Sequence, residues 1–549
     1  MNNIVQKIIN NTGLSISFLI ILSVFYFIGL GYVHLFDWDE INFAESAREM
    51  IVTGNYSLVQ INFSPFWEKP PLFFWLQVIS MKIFGVNEFA ARFPNAVIGI
   101  VYLITFYLIG KKWFTPVFGI FWALLFFSSL LPHIYFRSGI IDPVFNYFIF
   151  LSVYFTILVF ETNKRCYQYA FLAGICSGLS ILTKGPVGFL IFLLTFSAYI
   201  VFNRFKKIPE WRYFLSFIMG ASGIVCIWLS FELFQNGTDN LYKFIQYQLD
   251  LFNTPVAGHG QPFYYHFVIV FLGCFPISIF ALPSFFKSDV AGSSNFRIWM
   301  VILFWVVMIL FSLTTTKIIH YSSMTYIPLS FLAALYIYKL HQQNSEVRKY
   351  VLNAFILIGL FWSIIFILVP YLLLKKELII PYIKDDFAVQ SLMTPIAWTG
   401  YEYLTGFIFL FGIIVSAIFL KRRSYIYSTF TTSITLGCVL LLFTFFVLPE
   451  IEGFTQGPVI SFYKSIRGED AYIESYGYKS YAQYFYADQK PVAGENRKNL
   501  EWLVNGPIDK PVYLVTKSNN TDLDDHANMR LIRKEGGFKF YKRLPVLGK

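Results

Sequence analysis

Four short segments carry the residues whose types and spacing could do chemistry, and each sets charged groups beside apolar sequence. The first is Asp37-Trp38-Asp39-Glu40. A carboxylate at a membrane surface can accept a proton from an acceptor group or orient an attacking nucleophile. Asp39 could equally cap the helix that follows it. The second is Trp67-Glu68-Lys69-Pro70-Pro71-Leu72. The diproline holds the preceding residue in an extended or turn geometry. Lys69 can then present a point charge to a lipid phosphate, and Glu68 is free to ligate a metal. The third is Arg137-Ser138-Gly139-Ile140-Ile141-Asp142-Pro143. Asp142 falls at the outer end of an apolar helix, where an ionisable group needs a partner or a function, and Arg137 is its expected partner. The fourth is Thr183-Lys184-Gly185-Pro186, where Lys184 either snorkels to the interface or binds a lipid phosphate.

Histidine and cysteine add less. Lys317, His320 and Tyr321 lie at the outer mouth of a helix, where they read as interfacial anchors. His259 sits in Gly258-His259-Gly260-Gln261-Pro262-Phe263, and a lone loop histidine does not make a zinc site. No histidines pair in mid-helix, which argues against a haem bundle. The five cysteines, at 166, 176, 226, 274 and 438, lack metal-ligand or disulfide-framework spacing.

The elements that position these residues must be membrane helices. Of the 549 residues only 14% are charged, 56% are hydrophobic and 20% aromatic, and mean hydropathy is +0.57. A soluble domain carries about 25% charge. This composition excludes a secreted disulfide scaffold, a disordered regulator and a soluble enzyme. The net charge of +11 comes in short clusters between apolar stretches, a topology signal and not a nucleic-acid footprint. Thirteen apolar stretches are expected to cross the bilayer, near 14–35, 92–110, 114–132, 140–160, 168–183, 185–202, 213–234, 264–284, 298–315, 322–339, 350–373, 403–420 and 426–448. The first lacks a small-residue cleavage site and is read as retained. With Lys7 inside, Lys111-Lys112, Lys164-Arg165, Arg204 to Arg212 and Lys421-Arg422-Arg423 also fall inside. The outer face then holds loops 36–91, 235–263 and 374–402. Within the first, the pattern predicts a helix over 40–53 ending at Gly54 and an interfacial helix over 70–84.

Residues 1–449 are thus read as a polytopic α-helical domain and 450–549 as a soluble extracytoplasmic α/β domain. The latter has expected strands at 471–476, 511–516, 529–534 and 538–543, helices at 478–487 and 496–504, and no catalytic motif.

These pieces occur in a recognisable order. Asp39-Glu40, then Ala44-Glu45-Ser46-Ala47-Arg48-Glu49-Met50, Glu68-Lys69-Pro70-Pro71-Leu72 and Glu88-Phe89-Ala90-Ala91-Arg92-Phe93-Pro94 are followed by Asp142-Pro143, Leu182-Thr183-Lys184-Gly185-Pro186 and His259-Gly260-Gln261-Pro262-Phe263. The set, over roughly 37–330, resembles the aminoarabinose transferases that modify lipid A, within the protein O-mannosyltransferase-like branch of the C-type (GT-C) integral-membrane glycosyltransferases. Two places depart from that pattern: Ile41-Asn42-Phe43 stands for Ala-Arg-Tyr, and Lys317-Ile318-Ile319-His320 replaces a Lys-Leu-Pro segment.

The resemblance implies a thirteen-helix fold, inverting transfer from a polyprenyl-phosphate sugar, and no nucleotide cofactor. It carries Asp39 and Asp142 over as catalytic carboxylates, with Glu40 beside them. Lys69 goes to the donor phosphate, with Arg137, Lys184, Lys317 and Tyr321 as further ligands. Glu68 and His259 go to a zinc-like divalent metal site. The expected partners are a polyprenyl-phosphate-linked sugar, a lipid or protein acceptor and membrane lipids, with no nucleic acid. The protein is expected to work as a monomer in the bacterial inner membrane. The competing functions are protein O-mannosyl-type transfer and lipid or sugar transport. Transport would need charges buried in mid-helix, and the apolar stretches hold few.

Overall fold

Apolar sequence at this density becomes helix because a backbone N–H in hydrocarbon finds no partner except its own chain. The computed structural model describes residues 3–253, 260–286, 294–396, 398–491 and 499–545. Eight helices in it are long and apolar enough to cross a membrane by themselves: Glu88–Trp113, Asp142–Glu161, Cys166–Lys184, Trp211–Asp250, Asn295–Leu313, Lys349–Leu374, Leu404–Lys421 and Tyr425–Phe454. Shorter apolar helices occupy Thr12–Tyr26, Pro116–Phe127 and Val187–Phe202, and Tyr326–Gln343 is buried along most of its length.

Two of the expected boundaries change. The stretch 264–284 is not one rod. It is the pair Tyr265–Gly273 and Ile277–Phe286, bent by 113° at Pro276, which has no N–H to continue a helix. The stretch 213–234 does not end in a loop. Its helix runs on to Asn253 through one break at Gly237 (φ 78°, ψ 176°), a backbone state open to glycine. The inner part of this helix exposes Phe214, Ile218, Ile227, Phe231 and Phe234, a lipid-facing surface. Its other side meets Cys166–Lys184 backbone to backbone. A Cβ on Gly174 would come 2.0 Å from the Phe217 carbonyl oxygen, and one on Gly220 2.3 Å from that of Phe171. Small residues permit this approach, as is usual between membrane helices.

The expected outer helices form at Asp39–Thr53 and Leu72–Phe84. The first ends at Gly54, whose N–H donates to the Met50 carbonyl at 3.1 Å. Between them β1 (Gln60–Ile61) and β2 (Ser64–Pro65) make a short antiparallel hairpin. The C-terminal domain holds β3 (Tyr472–Tyr476), β4 (Val512–Lys517), β5 (Arg530–Glu535) and β6 (Phe538–Arg543) in the order β3-β4-β6-β5. β3 and β4 are parallel and the other pairs antiparallel. Helices at Ala482–Tyr486 and Leu500–Asn505 accompany them. Phe538 and Phe540 of β6 belong to the same buried core as the membrane helices. Phe462 packs on Phe540 at 4.6 Å and Phe387 on Phe538 at 5.1 Å between ring centroids.

One buried ion pair joins the outer segments. Arg92 donates through Nε and Nη2 to the two carboxylate oxygens of Glu40, at 2.9 and 2.8 Å. Its remaining donors go to the carbonyls of Leu30, Val33 and His34. Glu40 in turn accepts from the backbone N–H of Phe36 and of Gly139. Removing one member of such a pair strands the other, typically at a cost of about 3–5 kcal/mol. Arg92→Ala should therefore sharply lower the melting temperature of the detergent-solubilised protein; an unchanged melting curve would refute this role.

The Asp39–Thr53 helix is buried along most of its length and carries a second polar cluster. Arg48 forks onto Glu45 at 2.7 Å and reaches Asp488 and the Gln489 carbonyl in the C-terminal domain. Glu49 accepts from the Phe63 N–H at 2.7 Å. Burial first, and then the neighbouring Glu45, push the Glu49 carboxyl up from 4.5 to about 9. The folded protein thus keeps a proton there that the unfolded chain releases above about pH 4.5. The linked stability is complete below that pH and is lost as pH rises towards 9. Glu49→Gln should flatten the decline in thermal stability across that window, whereas parallel curves for the two proteins would mean Glu49 is ionised in the fold.

Candidate functional site

Five separate segments bring their charged residues to one place at one end of the helices. Asp39 comes from the start of its helix, Glu68 and Lys69 from the loop before Pro70-Pro71, and Asp142 from the first turn of Asp142–Glu161. Lys184 comes from the end of Cys166–Lys184, and His320 and Tyr321 from the 3-10 turn Ile319–Thr325.

Asp39 does not cap its helix. Trp38 takes the capping position without a side-chain bond, and Asp39 is the first helical residue. Its carboxylate is 35% exposed and lies 3.7 Å from Nε2 of His320. The turn before it is fixed from the C-terminal domain. The Ser480 hydroxyl and the Tyr481 N–H both donate to Asp37, and the Gln456 amide donates to the Leu35 carbonyl and accepts from the Asp37 N–H.

Lys69 donates to Glu68 at 2.5 Å. Burial works against its charge, but Glu68, with Tyr321 and Asp39 further off, holds the ammonium above its ordinary value. The loop that carries the pair is tied to the outward continuation of the Trp211–Asn253 helix. The Trp67 indole N–H donates to Asn240 at 2.8 Å, and the Gln248 amide to the carbonyls of Trp67 and Glu68. Asn240 and Asn236 both donate to the buried Glu232.

Asp142 begins a helix with Pro143 in its first turn, where proline loses no hydrogen bond and the helix dipole favours a carboxylate. Its partner is Lys184, 2.7 Å away, and not Arg137 as the sequence suggested. Ser323, itself holding Asn146, donates a longer bond of 3.5 Å to Asp142. The Lys184 ammonium also lies 5.4 Å from the centre of the Tyr321 ring. His320 stands among these groups. Burial comes first in lowering its pKa, with Lys184 and Lys69 adding to the effect and Asp142 and Asp39 opposing it. The imidazole is thus neutral near pH 7.

Three expected members of the site are engaged elsewhere. Glu40 is consumed by Arg92, Phe36 and Gly139, so it positions its neighbours and does not face the cluster. Arg137 donates to the Phe25 carbonyl and to Thr444 at 3.2 Å. Lys317 donates to the Thr314 carbonyl at 2.6 Å and is buried. Conversely, the sequence marks His320 only as an anchor and gives no sign of Glu232, Asn236, Asn240 and Gln248 as supports. A histidine directly after the apolar pair Ile318-Ile319 carries no periodic signal, and the asparagines fall in a stretch expected to be loop.

The described residues do not by themselves make a metal site. Glu68 already carries the Lys69 ammonium, His259 lies outside the described residues, and no group of three or more His, Cys, Asp or Glu among those described could hold an ion. A cavity of about 270 Å³ between Asn62 and the C-terminal segments 468–474 and 487–490 shares no residue with the cluster.

A family model described as dolichyl-phosphate-mannose-protein mannosyltransferase matches residues 68–231. An undecaprenyl phosphate-alpha-4-amino-4-deoxy-L-arabinose arabinosyl transferase of Wigglesworthia glossinidia brevipalpis is 26% identical over 357 residues, covering 62% of this chain and 61% of that one. One from Proteus mirabilis is 28% identical, covering 60% of each. The chain thus matches about three-fifths of the length of these relatives. The crystal structure of ArnT from Cupriavidus metallidurans bound to undecaprenyl phosphate superposes with a TM-score of 0.74 at 15% identity, covering 97% of this chain and 98% of that one. The chain has the GT-C fold, and in sequence it is similar to the aminoarabinose-transferase-like and protein O-mannosyltransferase-like integral-membrane glycosyltransferases.

Proposed function

We propose that the protein is an inverting glycosyltransferase that moves a sugar from a polyprenyl-phosphate donor to a lipid A-like glycolipid of the envelope. The observation that carries this reading is the convergence of Asp39, Lys69, Asp142, Lys184, His320 and Tyr321 at the outer helix ends. The similarity to arabinosyl transferases named for undecaprenyl phosphate supports it. We place the chain in the bacterial inner membrane as a monomer. Residues 1–449 form the transferase domain and 450–549 the appended domain, both the cluster and the appendage being extracytoplasmic, as the inside basic clusters suggest.

In this reading Lys69 receives the donor phosphate as a point charge, and Lys184, held by Asp142, adds a second cation behind it. Preorganised charge at the edge of hydrocarbon stabilises the leaving group without reorganisation at the moment of reaction. The acceptor oxygen attacks the anomeric carbon from the face opposite the phosphate. The new C–O bond forms as the old one breaks, and its electron pair leaves on the polyprenyl phosphate. A hydroxyl acceptor gives its proton to Asp39, with the neutral His320 3.7 Å away to take it on. A phosphate acceptor is already anionic, and Asp39 then only orients it. Transfer of a hexose to Ser or Thr of exported proteins is the second reading, favoured by the family model over 68–231.

Mass spectrometry of envelope lipids and glycoproteins with and without the gene tests the function directly. A missing pentose or hexose on a lipid supports the first reading, and its absence only from proteins supports the second. Asp39→Asn should reduce transfer by about 10³-fold with membrane insertion intact; wild-type turnover would remove Asp39 from the mechanism. Lys69→Ala should weaken undecaprenyl phosphate binding about tenfold, and unaltered affinity would leave Lys69 a partner of Glu68 alone.

A further inference from the structure

Beside Asp39 lies a feature that the donor chemistry does not use. Trp38 is 44% exposed although it sits in a turn clamped on both sides. The Lys479 ammonium stands 4.7 Å from the centre of its ring and 5.6 Å from that of Tyr481. The Tyr481 ring meets the Trp38 ring edge-on at 5.2 Å. Tyr481 itself is buried, within electrostatic reach of Glu68, Asp37 and Asp39. Among the described residues Lys479 has no carboxylate partner. The three side chains come from opposite ends of the chain. They are held in register because Ser480 and Tyr481, the residues after Lys479, both donate to Asp37, the residue before Trp38.

We propose that Trp38, Lys479 and Tyr481 form the acceptor subsite, and that it takes the phosphorylated sugar head group of a lipid. The proposal rests on the glycosyltransferase reading above and names the substrate class of its acceptor side. An exposed indole offers an apolar face to the C–H face of a pyranose, flanked by a polar edge. An unpaired lysine is a point charge suited to phosphate. Trp38 directly precedes Asp39, so the platform adjoins the turn that carries the acceptor-side carboxylate. An unphosphorylated peptide Ser or Thr would leave Lys479 unmatched, so the platform favours an anionic glycolipid over a protein acceptor.

The test uses the full-length protein in detergent. It measures binding of purified lipid A, of lipid A stripped of its phosphates, and of undecaprenyl phosphate. Lys479→Gln, a surface change that leaves the core intact, should weaken binding of intact lipid A about tenfold and have no effect on the stripped lipid. Trp38→Ala should weaken both lipids about fivefold. Neither should alter binding of undecaprenyl phosphate, which reports separately on the donor site. Equal lipid A affinity in wild type and Lys479→Gln overturns the proposal, as does an equal loss for intact and stripped lipid. The donor reading would survive either result, because it stands or falls on the undecaprenyl phosphate measurement.

Discussion

Every donor of Arg92 is spent on fixing the outer surface of this protein, and the geometry of the charged cluster follows from that. The guanidinium holds both oxygens of Glu40 and three carbonyls between Leu30 and His34, while Glu40 also takes the N–H of Gly139. Asp39 precedes Glu40, and Asp142 follows Gly139 by three residues. Asp39 and Asp142, two of the carboxylates in the cluster, are therefore set against each other by Glu40, which does not face it. A planar fork with five donors can do this, whereas a lysine could not satisfy so many acceptors in fixed directions. The burial of this pair is costly in itself, and its return is geometric definition at the edge of the membrane.

Each ammonium of the cluster is paired with a carboxylate before any ligand arrives. Lys69 lies against Glu68 and Lys184 against Asp142, which lets ammonium groups persist at the ends of apolar helices. Asp39 is left with a partly exposed carboxylate and a histidine at long range. Any anion that reached Lys69 would have to share its ammonium with Glu68.

The helical architecture was legible because hydrophobic length and the spacing of basic clusters are local signals. So were the helix ending at Gly54 and the four strands of the C-terminal sheet. The identities of Asp39, Lys69, Asp142 and Lys184 were legible because so few charges lie near the outer helix ends. Their pairing was not. Sequence proximity proposed Arg137 for Asp142, but Arg137 turns towards Phe25 and Thr444, and Lys184 arrives from another helix across a contact that only tertiary packing creates. The helix beyond Gly237 was hidden because a glycine among Asn, Asp and Thr has the composition of a loop. It is tied in place by Asn236, which bonds to Asn55 and Ser57, and by Asn240, which accepts from Trp67, both asparagines donating to Glu232. His320 meets its carboxylate, Asp39, from a segment some 280 residues away, so nothing local marked it.

The clamp between Asp37 and Ser480-Tyr481 also orders events during biosynthesis. Helices emerging from the ribosome insert and pack in turn, with early segments folding before late ones exist. Asp39, Lys69, Asp142 and Lys184 are all made within the first 184 residues of the chain. The turn that carries Asp39 is closed only by residues some 440 positions later. A nascent chain stalled anywhere before residue 480 would hold Asp39 on an unfastened turn. The charged cluster is therefore completed last, once Ser480 and Tyr481 have been synthesised and have closed on Asp37.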